Sequence, residues 1–158
     1  MKIGVIADTH DNLPKIEEAV KFFNRNNVEY LLHAGDFIAP FAAVRLLKGL
    51  SCDFSGVFGN NDGEKQGLAK ISEGKIKAGP LSLNLGNRSI ILVHDINSID
   101  IKNKETDLII FGHTHKPQIS NKGSLLLVNP GECAGWLSNR SSVAIIDLNK
   151  LSPKIFYL

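Results

Sequence analysis

The chain has 158 residues, of which 18 are basic, 16 are acidic and 43% are hydrophobic, and this composition excludes a disordered or fibrous protein. The charges are scattered, so the chain lacks the basic cluster that drives nucleic-acid binding. The two cysteines are far apart, so we expect no disulfide framework. The apolar runs are short, so we expect neither a signal peptide nor a membrane span, and we expect a cytoplasmic protein.

The first part of the chain alternates between strand and helix patterns. Residues 2–7 form a short run rich in isoleucine and valine, typical of a buried strand. A helix is predicted to begin after Asn12 and to end at Asn26, because apolar residues recur along one helical face between them. The further predicted elements are a strand at 30–32, a helix at 40–47 closed by Gly49, a strand at 54–58 and a weaker helix at 66–73. This alternation predicts parallel strands joined by crossover helices.

The second part of the chain consists of short extended segments separated by turn residues. The predicted strands are 81–85, 90–93, 108–111, 125–128 and 143–147, with a last edge strand at 155–158. We therefore expect a single domain, residues 1–158, of the α/β class with two packed sheets and helices outside them.

Polar side chains follow five of the predicted strands where each strand ends. The residues are Asp8, His10, His33, Asp36, Asn60, His94, His113 and His115. Ligands of open α/β sheets bind beyond the carboxyl ends of the strands, so these side chains can converge. Carboxylate, amide and imidazole groups suit a divalent cation such as zinc, manganese, iron or nickel. One such residue alone is more often an ordinary loop residue, but the repetition favours a metal site.

The order of these residues matches a family signature. The chain has DTH at 8–10, GD ending at Asp36, GNND at 59–62, a histidine at 94 and GHTH at 112–115. This series resembles the calcineurin-like metallophosphoesterase superfamily, and DTHDNLPKI in so short a chain is similar to its small bacterial and archaeal phosphodiesterase branch. The resemblance implies a four-layer αββα sandwich of two mixed sheets flanked by helices.

The resemblance also implies a centre of two divalent metal ions bridged by Asp36. One ion would be held by Asp8, His10, Asp36 and His115, and the other by Asp36, Asn60, His94 and His113. Manganese is the expected metal, and nickel, zinc and iron stay open. His33 matches no ligand position, so we expect it to be buried or to support the ligands.

The implied activity is hydrolysis of a small phosphodiester by a hydroxide shared between the two ions, with Asn61, His10 and Asp36 as catalytic residues. Most relatives have histidine where this chain has Asn61. An amide can donate a hydrogen bond but cannot act as a general acid at neutral pH. We therefore expect a preference for phosphodiesters or for esters with good leaving groups.

Other expectations concern residues around this set and competing functions. Asp95, where many relatives have glycine, is expected to face solvent, and Gly112 and Gly131 are expected to permit close approach of the backbone to the site. One alternative is a non-catalytic or weakly catalytic metal-binding scaffold, because the retromer subunit resembles this branch in fold. Another is a single-metal hydrolase. The sequence does not identify the substrate, the native metal or the oligomeric state, and a homo-oligomer is one of the states left open.

Overall fold

A computed structural model describes residues 1–101 and 105–158 of the chain. The elements of the first half are β1 (Lys2–Ile6), α1 (Leu13–Arg25), β2 (Tyr30–His33), α2 (Pro40–Gly49), β3 (Asp53–Val57), α3 (Lys65–Ile71) and β4 (Ile76–Lys77). The elements of the second half are β5 (Leu81–Leu85), β6 (Arg88–Leu92), β7 (Leu108–Ile110), β8 (Gln118–Lys122), β9 (Leu125–Asn129), β10 (Ser142–Asp147) and β11 (Ser152–Tyr157).

Within the described ranges, these strands form two mixed sheets. The first has the order β11-β10-β1-β2-β3-β4, in which β1 to β4 run parallel and β10 and β11 are antiparallel to their neighbours. The second has the order β5-β6-β7-β9-β8, with parallel pairing in its centre and antiparallel edges. The predicted parallel strands with crossover helices therefore form the centre of the first sheet.

Alternation of side chains along each strand divides the first sheet between two apolar cores. Ile3 and Val5 of β1 pack against the second sheet, together with residues such as Ile110 of β7. Ile6 instead packs with α1, whose buried stripe includes Phe23. This division follows from the two-residue period of a strand, and it places the helices on the outer face of the first sheet.

The outer face of the second sheet has a smaller apolar cluster. Ile91 and Ile109 are buried there beneath Ile96, Ile99 and Ile101, which belong to a segment containing one turn of 3-10 helix. The predicted fold class, α/β with two packed mixed sheets and flanking helices, is confirmed. Among the described residues, the cover on this side is the 3-10 segment, whereas α1, α2 and α3 lie on the other side.

The sequence patterns located most elements to within two residues, but they did not predict two edge strands. β4 is only two residues long, and β8 is mostly polar and exposed. β8 pairs with β9 through its backbone, so it needs no apolar face to form. No helix in the described part of the chain is both long and apolar enough to cross a membrane.

Candidate metal centre

The loops that follow β1 and β2 are joined by backbone hydrogen bonds. The N–H of Asp8 donates to the carbonyl of Gly35 at 3.0 Å, and the N–H of Thr9 donates to the carbonyl of Asp36 at 3.0 Å. On the other sheet, the N–H of Gly112 donates to the carbonyl of His94 at 3.0 Å. These bonds bring residues that are far apart in sequence to one edge of the sandwich.

The backbone is strained at most of the predicted metal ligands. Five of them have positive φ angles: Asp8 at 53°, His10 at 39°, Asp36 at 61°, His113 at 67° and His115 at 59°. Residues other than glycine rarely adopt this left-handed region of φ, and each such residue costs about 1–3 kcal/mol. Such strain persists only where the surrounding structure imposes it, and its concentration here is typical of a functional site.

Four of the predicted ligands form a compact group. Potential ligand atoms of Asp8, His10, Asp36 and His115 all lie within 4.8 Å of one another. Both carboxylates are buried, and the two imidazoles are partly exposed. The group has the same members as the first metal position implied by the family resemblance.

The remaining predicted ligands gather beside this group. Asn60 Oδ1 lies 2.8 Å from His94 Nε2 and 2.9 Å from His113 Nδ1. Asp36 Oδ2 lies 3.6 Å from His94 Nε2 and 3.7 Å from His10 Nε2. The carboxylate of Asp36 thus lies between the two groups of donors.

Three buried polar atoms at this site have no hydrogen-bond partner within the described ranges: Asp8 Oδ2, His10 Nε2 and His115 Nδ1. Buried polar atoms are nearly always satisfied, so their concentration needs an explanation. Carboxylate oxygens and imidazole nitrogens are suitable ligands for a borderline divalent cation. The donor set therefore fits a divalent metal ion.

The protein environment by itself disfavours the charged forms of two of these donors, Asp8 and His10. Burial, with the nearby carboxylate of Asp36, raises the pKa of Asp8 to about 8. Burial also lowers the pKa of His10 below its ordinary value, so its imidazole stays neutral. A bound cation would favour the charged carboxylate and the neutral imidazole, which are the forms that bind metals.

Asp62, which the sequence patterns did not indicate as a site residue, connects two of the loops. Its buried carboxylate accepts hydrogen bonds from the N–H groups of Gly59 at 2.7 Å, Asp36 at 3.2 Å and Ile38 at 2.7 Å. Burial raises the pKa of Asp62 despite these bonds. The last letter of the GNND motif was the signal in the sequence for this residue.

Glu132, also absent from the predicted set, is a fully buried carboxylate next to His115. Glu132 Oε1 lies 3.5 Å from His115 Nδ1. The carboxylate also accepts hydrogen bonds from the N–H groups of Trp136 at 2.8 Å, Leu137 at 3.1 Å and Ser138 at 2.8 Å. Burial acts to raise its pKa, but the hydrogen bonds from Ser138 and Leu137 prevail and lower it. Glu132 is therefore a buried anion that connects a predicted ligand to a surface loop.

His33 is buried away from the donor group, as the sequence suggested. Its Nδ1 accepts a hydrogen bond from the N–H of Gly35 at 3.1 Å, its Nε2 lies 3.1 Å from the hydroxyl of Thr9, and its ring stacks on Phe37. Burial lowers its pKa well below the ordinary value. This neutral ring supports the loop before Asp36.

Asn61 and Asp95 make contacts that the sequence did not indicate. The amide nitrogen of Asn61 donates to Asp36 Oδ2 at 2.7 Å, and its backbone N–H donates to Asp36 Oδ1 at 2.9 Å. Asp95 is only partly exposed, and its side chain accepts a hydrogen bond from the N–H of Asn97 at 2.9 Å, which caps the 3-10 helix. Asp95 therefore has a local structural contact instead of pointing freely into solvent.

The two glycines singled out in the sequence differ in surroundings. A Cβ atom on Gly112 would lie 3.1 Å from Asp8 Oδ2, so this glycine permits close approach to the donor group. Gly131 has a φ angle of 84°, and a Cβ there would collide with Ser142 and Pro117. Its immediate neighbours are thus packing residues, not predicted ligands.

The fold and the donor set define a metal-binding phosphoesterase class, and comparison with known proteins specifies the family. A family model described as the calcineurin-like phosphoesterase superfamily domain matches residues 1–151, and the chain belongs to this family. Members of the family use divalent metal ions. A phosphodiesterase of Methanocaldococcus jannaschii is 35% identical over 158 residues, which cover 95% of each chain. The phosphodiesterase YfcE of Escherichia coli K12 is 24% identical, with 96% of this chain and 90% of that protein covered.

Solved structures agree with this assignment. The structure of an archaeal phosphodiesterase matches all of both chains, with a TM-score of 0.90 and 34% identity. The structure of Vps29 from Entamoeba histolytica in complex with Zn²⁺ matches with a TM-score of 0.69 and 21% identity, over 100% of this chain and 98% of that one. The second likeness shows the shared fold only.

Proposed function

We propose that residues 1–158 form a single catalytic domain that hydrolyses phosphodiesters with two divalent cations, with manganese as the expected metal. The observation that carries this proposal is the position of Asp36. Its Oδ2 atom lies 3.7 Å from the imidazole of His10 and 3.6 Å from that of His94, so one carboxylate oxygen faces both donor groups. The relatives of this chain that are named phosphodiesterases support a function as a hydrolase.

The protein's own contribution is to hold the donors and to restrain the loops that carry them. In this proposal Asp8, His10 and His115 hold one cation with Asp36, and Asn60, His94 and His113 hold the other. Such a pair of cations would supply a water activated near neutral pH and would neutralise charge on the phosphate. Asp62 and Glu132 fix the surrounding backbone through the hydrogen bonds described above.

Asn61 is the residue that we propose contacts the phosphate. Its amide nitrogen donates to Asp36 Oδ2, one of the atoms assigned to the cations. This amide is therefore a hydrogen-bond donor next to the carboxylate that would hold the cations, where a phosphate oxygen could accept from it. Because an amide cannot protonate a departing alkoxide, the enzyme should favour substrates whose leaving groups need no proton.

The test compares three esters under identical conditions with added Mn²⁺: a bis-aryl phosphodiester, an aryl phosphomonoester and an alkyl phosphomonoester. The alkyl monoester is expected to react slowest, because its leaving group is the poorest. A faster rate for the alkyl monoester than for the diester would overturn the proposed preference.

A substitution tests the same reasoning. Asn61→His is expected to raise kcat/KM most for the poorest leaving group, because histidine can donate a proton near pH 7. Asn121→His, an exposed position on β8, is the matched control and should change nothing. An equal gain for all leaving groups would show that Asn61 does not limit leaving-group departure.

Two other functions make different predictions about metal content. A scaffold would need no complete donor set, and the fold shared with Vps29 is compatible with it. Two ions per chain after reconstitution with Mn²⁺ are expected for the enzyme, and fewer than one would favour the scaffold. A single-metal hydrolase would keep its activity in Asn60→Ala, whereas the proposed centre would lose an ion and most of its activity.

A further inference from the structure

Two consecutive residues, Trp136 and Leu137, expose large apolar side chains, and the first of them lies beside the candidate metal centre. Trp136 is 62% exposed and Leu137 is 77% exposed. The indole Nε1–H of Trp136 donates to the backbone carbonyl of His10 at 3.2 Å. This bond places the indole directly beside a residue of the donor group.

The loop that carries this tryptophan is held firmly. Three successive N–H groups, from Trp136 to Ser138, converge on the buried carboxylate of Glu132. Gly135, which precedes the tryptophan, has a φ angle of 68°, and a Cβ there would lie 3.1 Å from the nitrogen of Ser141. The exposed indole is therefore presented by an organised turn, which reduces the entropy that a ligand would have to overcome.

A single exposed apolar side chain is ordinary, but this one has features of a recognition surface. Its only polar atom is already bonded to the backbone of His10, so what remains available is the aromatic face. Aromatic faces bind planar rings by stacking, which tolerates differences among nucleobases and aryl groups. The phosphate of a substrate would lie at the adjacent donor group.

We propose that Trp136 is a specificity residue that stacks on a planar aromatic arm of the substrate, a nucleobase or an aryl group, while the phosphate lies at the metal centre. This inference rests on the proposed phosphodiesterase function and narrows its substrate class.

The test uses ligands that cannot be hydrolysed. Trp136 is the only tryptophan in the sequence, so fluorescence excited selectively in tryptophan, beyond the absorption of the two tyrosines, reports on this residue alone. Protein loaded with Mn²⁺ is titrated with phenylphosphonate and with methylphosphonate, and affinities are measured by calorimetry. Phenylphosphonate is expected to change the tryptophan emission and to bind at least about fivefold more tightly, as stacking on one aromatic side chain predicts.

Substitutions assign this preference to the indole. Trp136→Ala should reduce the affinity ratio of the two phosphonates to about one, and Trp136→Phe should retain part of it. Ile119→Ala, another exposed apolar position, is the control and should keep the wild-type ratio. An unchanged ratio in Trp136→Ala would overturn the assignment.

Combining calorimetry with the diester assay separates the two proposals. Equal affinities for the phosphonates in a protein that hydrolyses the bis-aryl diester would refute the role of Trp136 and leave the function standing. A preference that depends on Trp136, in a protein that hydrolyses no diester, would support the aromatic surface and refute the enzymatic function.

Discussion

Replacement of Asp8 by asparagine is expected to stabilise the chelator-treated protein and to abolish its stabilisation by metal. Burial and the neighbouring Asp36 raise the pKa of Asp8 to about 8, whereas its ordinary value is 3.8. At pH 7 the folded chain without metal therefore keeps a proton that the unfolded chain releases. Asparagine has nearly the same shape and can still accept the hydrogen bond from the N–H of His113.

The sign and size of this effect depend on pH. Below about pH 4 the carboxyl group is protonated in both states, so the substitution brings no gain. Between pH 4 and pH 8 the folded state binds more protons than the unfolded state, so the free energy of unfolding of the wild type falls as pH rises. Above pH 8 the carboxyl group is ionised in both states, and this free energy falls no further. The shift from 3.8 to about 8 corresponds at pH 7 to at most about 4 kcal/mol. After relaxation of the structure, we expect Asp8→Asn to gain about 2 kcal/mol in free energy of unfolding at pH 7, or about 4–8 °C in Tm.

The assay is thermal unfolding of wild type and Asp8→Asn between pH 4 and pH 8, first with chelator and then with Mn²⁺. The control is Asp53→Asn, because a hydrogen bond from Lys75 lowers the pKa of this exposed carboxyl group and so gives the opposite dependence on pH. Lower stability of Asp8→Asn than of wild type in chelator at pH 7, or an equal rise in the Tm of both proteins with Mn²⁺, would contradict the role assigned to Asp8.

Two further substitutions test the residues that support the centre. A methyl group at Gly59 would collide with the carboxylate of Asp36, so Gly59→Ala should lose metal binding and about 2 kcal/mol or more in free energy of unfolding. The control is Gly63→Ala, where a Cβ atom meets open space, and its free energy of unfolding should change by less than about 0.5 kcal/mol. Glu132→Gln should lower the urea midpoint and weaken Mn²⁺ binding about tenfold, measured by calorimetry, because it removes the negative charge beside a proposed ligand. Equal stability of both glycine variants, or unchanged metal affinity in Glu132→Gln, would contradict these roles.

The donor group could be predicted because the topology of the sheets converts sequence position into location. Asp8 and Asp36 follow neighbouring parallel strands, so their convergence follows from the strand pattern alone. His94 and His113 follow neighbouring strands of the other sheet, which packs face to face with the first. Apolar runs that end in polar residues were sufficient to indicate that these residues converge, whereas their division between two ions was implied by the family resemblance.

The supporting residues could not be predicted from the same patterns. Asp62 and Glu132 bind backbone N–H groups, and these groups are brought together only by the completed loops. The position of Trp136 likewise depends on one turn that is hydrogen-bonded to Glu132. Because its side chain is exposed, Trp136 is also not part of any apolar pattern in the sequence. The edge strand β8 was missed for a related reason, since backbone pairing rather than an apolar face defines it.

The most direct test of the central claim is a crystal structure of the Mn²⁺-loaded protein with anomalous diffraction data. Two anomalous peaks per chain are expected, both in contact with the carboxylate of Asp36, with His10 beside one and His94 beside the other. A single peak, or two peaks that do not share Asp36, would contradict it.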